Sequence, residues 1–328
     1  GGSVSVNAHG RDTLPGQMSD YIESIRIMIA TGQILTLARG DPVLRAVIGG
    51  YGGIGIITSV TLKLVDNIRL EKSVINSSSD TSEFLGFDIP AECQMYNINI
   101  YPPDFSRAAI VMFNRTDQPE TVKTRMKPSQ NFSLIGAASE SFAKFIKPLH
   151  HLRSEKSGIV CTRNYEMSSS IQSLTPITRM FTISILQEYF VPSHNQTQVR
   201  AYFEDVKKII SDYGINVLNI SMRRVSASDS TILNYSPVDS YSFVFYISVF
   251  NTRTSITRAL EWTRVLIDTV LRYGGKYYLP YQPFATVDQF RRSYPDWPEY
   301  LRIKTELDPD RKFDSAFLAK YIPSQAKK

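Results

Sequence analysis

The sequence has little cysteine, no long apolar run and only a modest excess of positive charge. Its two cysteines, Cys93 and Cys161, are too few for a disulfide framework or a cysteine-based metal site, and they suit a reducing compartment. No stretch reaches the ~20 apolar residues that a helix needs to cross a bilayer. The net charge of +6 allows contact with anions but does not mark a nucleic-acid-binding protein. We therefore expect a cytoplasmic globular protein that associates with membranes only at its surface, if at all.

What is present is an ordinary globular composition, with 42% hydrophobic and 21% charged residues in a chain of 328, which is enough for two structural units. One segment, residues 123–156, is basic and has interleaved aromatic residues. It reads either as a solvated crossover, which its composition favours, or as a surface for peripheral contact with anionic lipid. His150-His151 inside it has no further ligand at metal-binding spacing, so no metal site is predicted.

The most unusual stretch is the glycine loop, residues 49–57, with the sequence GGYGGIGII. Residues 50–55 match GxGxxG, which in dinucleotide-binding folds follows a strand and opens a helix. Here a helical pattern comes before the glycines and a strand pattern over 56–65 follows them, so neither that fold nor a P-loop is indicated. Two interpretations remain open: a tight connection packed against another backbone, which the loop alone favours, or close approach to a flat or charged cofactor.

The remaining pattern predicts an α+β fold, an antiparallel sheet backed by helices. A hairpin is expected at Thr31-Gly32, and amphipathic helices at 199–213 and 254–273. The strand at 182–192 is apolar except at Gln187, Glu188 and Tyr189. Because buried polar side chains need partners, we predict that Gln187 and Tyr189 border a wet pocket. The tyrosine-rich stretch 277–282 suits either a polar substrate or an ordinary aromatic turn.

Three separated segments resemble flavin-dependent oxidoreductases of the vanillyl-alcohol oxidase (PCMH-type FAD-binding) superfamily. They are the sequences Gly1-Gly2-x5-Ala8-His9-Gly10-Arg11, the glycine loop, and Tyr294-Pro295 followed by Asp308-Pro309-x3-Phe313-x-Ser315. The branch that holds decaprenylphosphoryl-ribose oxidase and sugar-lactone oxidases is the most similar, and residues 186–192 resemble its cap domain. The resemblance implies a PCMH-type FAD-binding domain with an α+β cap domain built on an antiparallel sheet.

The resemblance also implies a division of the chain. Residues 1–67 would form the second FAD subdomain, 68–273 the substrate (cap) domain, and 274–328 the return to the FAD-binding domain. Nothing in the sequence matches the first, phosphate-holding subdomain of the family, so we expect the FAD-binding domain to be incomplete in this chain.

Site residues follow from the same resemblance. Those expected to contact FAD are Gly1, Gly2, Ser5, His9, Gly10, Gly52, Gly55, Ile56 (through its main chain) and Tyr278. Those expected to line the substrate pocket are Gln187, Tyr189, Arg223, Tyr281 and Gln282. Tyr281 and His9 are the candidates to accept or position the hydroxyl proton, with Tyr278 beside the ring. A tyrosine base would need its pKa lowered by a neighbour such as Lys276 or Arg223.

The function implied is an FAD-dependent oxidoreductase that oxidises a CH–OH group of a sugar-like or polyol substrate by hydride transfer to flavin N5. The substrate is a small molecule, and the sequence leaves the electron acceptor open among oxygen, a quinone and others. The chain departs from the His-Trp-Gly-Lys motif of sugar-lactone oxidases and has Tyr281 where decaprenylphosphoryl-ribose oxidase has Lys. The alternative is an FAD-deficient fragment of this fold that acts as a binding or structural protein.

Overall fold

The computed structural model describes residues 1–13, 16–77, 84–127, 156–168 and 182–323. The strands are β1 (Ile22–Met28), β2 (Ile34–Ala38), β3 (Ile56–Leu62), β4 (Arg69–Ser77), β5 (Cys93–Tyr101), β6 (Arg107–Arg115), β7 (Ile159–Thr162), β8 (Thr182–Pro192), β9 (Val217–Val225), β10 (Ser240–Phe250) and β11 (Lys276–Tyr277). The helices are α1 (Gly2–Ser5), α2 (Pro42–Val47), α3 (Arg163–Met167), α4 (Gln196–Tyr213), α5 (Arg253–Arg272), α6 (Val287–Ser293), α7 (Trp297–Leu307) and α8 (Ala316–Tyr321), with a short 3-10 helix at Met18–Tyr21.

A small antiparallel sheet of order β2-β1-β3 contains the hairpin expected at Thr31-Gly32. Helix α2 precedes the glycine loop; the Asp41 side chain caps it by accepting a hydrogen bond from the Val43 N–H, and Pro42 occupies the first turn. Strand β3 follows the glycines and pairs with β1. The order of helix, glycines and strand is therefore confirmed.

The large sheet has eight strands in the order β11-β8-β10-β9-β5-β6-β4-β7, with every neighbouring pair antiparallel. The α+β class with an antiparallel sheet backed by helices is confirmed. Strands β4 and β7 and the short helices α1 and α3 were not anticipated from the sequence pattern. The division at residues 67/68 and 273/274 stays a prediction; β11, which lies in the last of the three parts, pairs with β8.

One face of the large sheet is apolar and covered by α4 and α5. Tyr189, Phe243 and Phe245 project on this face, since paired residues of adjacent strands share a side. The ring of Phe243 lies 5.5 Å from Tyr202 and 5.8 Å from Phe203, both on α4. All five residues are fully buried, so this layer forms a closed core between the large sheet and the helices.

The opposite face, called here the polar face, carries hydrophilic side chains at the alternate positions. The register aligns Glu188, Val244, Ser221 and Asn99 across β8, β10, β9 and β5. The N-terminal segment reaches this side of the sheet, where the Arg11 guanidinium donates a hydrogen bond to Asn97 Oδ1 at 3.5 Å. The polar face is therefore where the segment that contains His9 meets the large sheet.

The glycine loop is packed tightly against its neighbours. A Cβ at Gly53 would lie 2.2 Å from the Tyr300 hydroxyl, and one at Gly55 would lie 2.6 Å from the Met28 carbonyl oxygen. Close packing therefore explains these two glycines, as expected from the interpretation of the loop as a tight connection packed against another backbone. Gly52 differs, because its φ is +73° and no atom of the other described residues, apart from its chain neighbours, lies within 4 Å of where its Cβ would be.

No helix in the described ranges is long and apolar enough to span a membrane. The same residues contain no group of three or more His, Cys, Asp or Glu arranged to hold a metal ion. Most of the basic segment 123–156, namely residues 128–155, lies outside the described residues, so both interpretations of it, a solvated crossover and a surface for anionic lipid, stay open.

Candidate active site

Glu188 lies at the centre of a hydrogen-bonded group on the polar face. It is 2% exposed, and its carboxylate accepts a hydrogen bond from the Ser242 hydroxyl on the neighbouring strand. The same carboxylate is 2.6 Å from His9 Nε2 and accepts a longer hydrogen bond, 3.4 Å, from the Tyr281 hydroxyl. One strand, the N-terminal segment and the turn after β11 thus converge on a single buried carboxylate.

The electrostatics keep this carboxylate ionised. Burial alone would raise the pKa of Glu188, but His9, the guanidinium of Arg223 and the Ser242 hydroxyl outweigh that effect and hold the pKa below its ordinary value. Because an ionised carboxylate only accepts hydrogen bonds, Nε2 is the protonated nitrogen of His9 in this pair. Glu188 is therefore ionised, with a negative charge that its neighbours stabilise.

His9 is held in place by the backbone around it. Asn7 has a left-handed conformation, with φ of 46°, and its side chain donates to Gln17 Oε1 at 2.8 Å and accepts from Ser19 N at 2.9 Å. A β-bridge between His9 and Gln17 fixes the neighbouring strand segment. In the described part of the chain, the buried Nδ1 of His9 has no hydrogen-bond partner. This nitrogen is a buried polar atom that a bound molecule could satisfy.

Tyr278 joins the C-terminal turn to the N-terminal segment. Its backbone N–H donates to the Glu188 carbonyl at 2.9 Å, and its hydroxyl donates to the Val6 carbonyl at 3.2 Å. Its ring lies 5.7 Å from the His9 ring and 4.9 Å from the ring of Tyr235, whose hydroxyl donates to the Asn7 carbonyl at 2.9 Å. The front of the chain and its tyrosine-bearing tail therefore form one aromatic-walled site.

The other residues expected at the cofactor lie along the same N-terminal side. The Ser5 carbonyl accepts a hydrogen bond from Tyr51 N at 3.0 Å, so α1 lies against the glycine loop. Ile56 begins β3 and is 49% exposed. Gly1, Gly2, Gly10 and Gly52 lie in or beside these segments, as does Gly55, although the missing side chain of Gly55 faces the Met28 carbonyl oxygen. Contact between these residues and FAD stays a prediction.

Two expectations about the substrate pocket are wrong. Tyr189 does not lie on the polar face. It alternates along β8 with Glu188 and projects on the same side as Ile185 and Val191, and its ring packs 5.6 Å from the ring of Phe245 in the core. Gln187 lies on that same face, where it is buried and donates to Gln282 Oε1 at 3.1 Å. These two amides satisfy each other, and the polar contacts at the site come from Glu188.

The expected activation of Tyr281 as a base is also contradicted. Burial and the neighbouring Glu188 carboxylate raise the pKa of Tyr281 above its ordinary value, although Arg223 opposes them. Lys276, the other residue considered, donates to the Asn234 carbonyl at 3.0 Å and lies over the Tyr294 ring. Tyr281 is therefore a neutral hydroxyl donor to Glu188, and it suits a positioning role better than proton abstraction.

Sequence reasoning missed Glu188, Ser242 and Tyr235 as site residues. Glu188 was noted only as an interruption of an apolar strand. The signal that could have found it is its parity: Ile183, Ile185 and Val191 alternate with it, so Glu188 must face the opposite side of the sheet. Ser242 and Tyr235 carry no comparable signal, since only the strand register and the fold of residues 226–239 bring them to the site.

A second buried carboxylate, Glu166, gives a prediction on stability. Burial alone would raise the pKa of Glu166, but Arg11 at 2.7 Å and Lys127 at 2.9 Å leave it below the ordinary value. Because the folded pKa is lower than the unfolded one, this contribution to stability is present above the unfolded pKa of about 4.3 and is lost as the pH falls below it. We expect Glu166→Gln to show a flatter decline in the free energy of unfolding between about pH 6 and pH 3 than the wild type does, measured by urea titration. Equal slopes for the two proteins would contradict this assignment.

Comparison with known proteins places the fold in a defined class. The structure resembles the crystal structure of cholesterol oxidase from B. sterolicum with a TM-score of 0.65, at 15% identity, over 98% of this chain and 74% of that one. The architecture is thus that of PCMH-type FAD-binding oxidoreductases. The sequence profile of the D-arabinono-1,4-lactone oxidase family matches residues 60–321. The chain belongs to this family of FAD-dependent oxidases and dehydrogenases acting on CH–OH groups.

Two relatives share the sequence over nearly the whole chain. L-gulono-1,4-lactone dehydrogenase of Mycobacterium tuberculosis (strain H37Rv) is 24% identical over 329 residues, which cover 95% of this chain and 71% of that protein. Decaprenylphosphoryl-beta-D-ribose oxidase of Mycolicibacterium smegmatis is 23% identical over 347 residues, which cover 96% of this chain and 72% of that protein.

The residues present fit the flavin that this class binds. A flat ring with polar edges needs backbone that it can approach closely and polar atoms that are not already paired. Among the described residues, apart from the chain neighbours, no atom lies within 4 Å of where a Cβ would stand at Gly1, Gly2 or Gly52. Within the described ranges, His9 Nδ1 is buried without a partner beside the Tyr278 ring. The chain thus offers open backbone and a free polar atom around one aromatic-walled site.

Proposed function

We propose that this protein oxidises a CH–OH group of a sugar-like or polyol substrate at the polar face, with Glu188 as the group that accepts the hydroxyl proton. The observation that supports it most is the buried Glu188 carboxylate, which lies 2.6 Å from His9 Nε2 and accepts a hydrogen bond from the Tyr281 hydroxyl. Bound FAD would supply the acceptor for the hydride that leaves the carbinol carbon. The protein supplies the proton acceptor and the orientation of the hydroxyl.

Each residue has a distinct role in this proposal. His9 donates its Nε2–H to the Glu188 carboxylate and so holds that carboxylate in position. Tyr281 and Ser242 donate to two further lone pairs of the same carboxylate, which leaves one lone pair on Oε2 for the substrate hydroxyl. Tyr278 holds the N-terminal segment against β8 and presents its ring beside His9. Gly1, Gly2, Ser5, Gly10, Gly52 and Ile56 are proposed to lie along the cofactor.

The test combines cofactor retention with substrate-dependent bleaching. The protein is mixed with FAD, passed through gel filtration and then mixed anaerobically with xylitol, D-glucitol, L-gulono-1,4-lactone, D-gluconate or D-ribose 5-phosphate, with 1-propanol as the alcohol that lacks further hydroxyls. We expect the visible flavin band to elute with the protein and to bleach with at least one polyhydroxylated compound but not with 1-propanol. Retained flavin that none of them bleaches would contradict the proposed reaction. Loss of all flavin on the column would instead support the alternative of an FAD-deficient binding protein.

A further inference from the structure

Arg223 is a cation of the polar face whose charge no described residue neutralises by contact. It projects from β9 on the same side as Ser242, its register partner on β10. Within the described ranges its guanidinium forms no ion pair, and its Nε is buried without a hydrogen-bond partner. Burial lowers the pKa of Arg223, while Glu188 raises it, so the unpaired charge has an energetic cost. A half-buried guanidinium without a partner is suited to bind a ligand oxyanion in a bidentate manner.

The charges around Arg223 do not remove this excess. Glu188 is hydrogen-bonded to His9, Ser242 and Tyr281 and makes no hydrogen bond to Arg223. Arg11, the other cation that acts on Arg223, shares the Glu166 carboxylate with Lys127. Two cations on one carboxylate leave a net positive charge on this side of the polar face. Arg11 lies on the same face, where its guanidinium donates to Asn97 Oδ1 at 3.5 Å, so an anionic group bound by Arg223 would also be attracted by Arg11.

The neighbouring positions of the polar face provide groups for sugar hydroxyls. Ser221 and Asn99 are register partners on β9 and β5, next to the row that contains Arg223. The side-chain oxygen Oδ1 of Asn99 accepts hydrogen bonds from the side-chain amides of Asn97 at 3.0 Å and Asn219 at 3.5 Å, and with Ser221 these residues form an amide and hydroxyl strip. Amide and hydroxyl side chains of this kind pair with hydroxyl groups as donors and acceptors.

We propose that Arg223, with Arg11, forms an oxyanion subsite beside the catalytic carboxylate, so that the substrate is a polyhydroxylated anion, a sugar acid or a sugar phosphate. This inference rests on the proposed function, because it assigns the substrate class to the same polar face. The carboxylate and the phosphate present the same oxygen chemistry to a guanidinium fork. The amide and hydroxyl strip then receives the hydroxyl groups between the anion and the reacting carbon.

Binding measured by calorimetry tests the subsite without any redox readout. The probes are D-gluconate, D-ribose 5-phosphate and neutral D-glucitol, titrated into the FAD-loaded wild type and into Arg223→Gln. The matched control is Arg224→Gln, because Arg224 is the next residue on β9, projects to the opposite side and pairs with the exposed Asp239. We expect Arg223→Gln to weaken binding of at least one anion by about 10–100-fold and to change D-glucitol binding by less than about 3-fold. Arg224→Gln should change neither.

The contrast between the two anions identifies the source of the oxyanion, and either preference supports the subsite. Equal affinity of the wild type for D-glucitol and both anions would overturn it, as would loss of anion binding in Arg224→Gln to the same extent. Circular dichroism checks that each variant folds. If Arg223→Gln does not fold, Arg223→Lys replaces it, and we expect this variant to bind the anions more weakly than the wild type and to bind D-glucitol equally well. If the anions bind through Arg223 but no polyhydroxylated compound bleaches the flavin, the proposed reaction fails while the subsite stands.

Discussion

Glu188→Gln is expected to slow flavin reduction by a bound polyol by about 100–10,000-fold, the range that a positioned general base contributes. The amide keeps the size of the side chain but cannot accept the hydroxyl proton. The buried site holds no other ionised carboxylate at hydrogen-bond distance from His9 among the described residues. Anaerobic stopped-flow measurement of the visible flavin band, at saturating substrate, gives the rate constant directly.

The matched control for this variant is Asp205→Asn. Asp205 on α4 also accepts a hydrogen bond from a tyrosine hydroxyl, that of Tyr273 at 3.0 Å, but it lies on a helix of the apolar side. We expect its flavin reduction rate to match the wild type. If Glu188→Gln retains FAD and its flavin is reduced at the wild-type rate, Glu188 is not the group that accepts the hydroxyl proton.

Lys304→Met is expected to lower the free energy of unfolding by about 3–5 kcal/mol, because it leaves a buried carboxylate without its cation. The Lys304 ammonium, with its side chain 1% exposed, donates to Asp308 at 2.9 Å and to the carbonyls of Gly53 and Phe313 at 2.8 and 2.7 Å. The four-residue spacing places both charges on one face of the α7 end. Urea titration followed by circular dichroism measures the loss.

Two further variants separate this effect from the loss of any α7 charge. Arg302→Met removes an exposed arginine that pairs with Glu299 and Glu306 on the same helix, and the urea midpoint should not move. Lys304→Met combined with Asp308→Asn should be more stable than Lys304→Met alone, because the uncompensated charge is gone. A loss below about 1 kcal/mol for Lys304→Met would show that the contacts of Lys304 with Asp308 and with the Gly53 carbonyl of the glycine loop do not determine stability.

Much of the fold could be predicted because local signals agree with the final structure. The hairpin turn, the capped α2, Gly214 as a left-handed cap of α4, and the Thr286 cap of α6 all follow from residue types at fixed positions. The pairing of β11 with β8 and that of β7 with β4 join residues far apart in sequence. No local pattern encodes those pairings, so the strand order could not be predicted.

The site was predicted in part for the same reason. His9, Tyr278 and Tyr281 came from motif resemblance, and the structure brings them together around Glu188. The Asp308 motif has a structural explanation: its carboxylate accepts the N–H groups of Lys312 and Phe313 as well as the Lys304 ammonium. The role of Glu188 depends on which side of β8 faces the helices, and that is a property of tertiary packing.

The central claim is that the N-terminal segment and the tyrosine-bearing tail hold a flavin ring against the polar face of the large sheet. A crystal structure of the FAD-loaded protein tests it most directly. The account predicts that the isoalloxazine ring contacts the Tyr278 and His9 side chains, with Glu188 on the side from which substrate approaches. An isoalloxazine ring bound on the helix-covered side of the sheet, or one without contact to His9 and Tyr278, would contradict it.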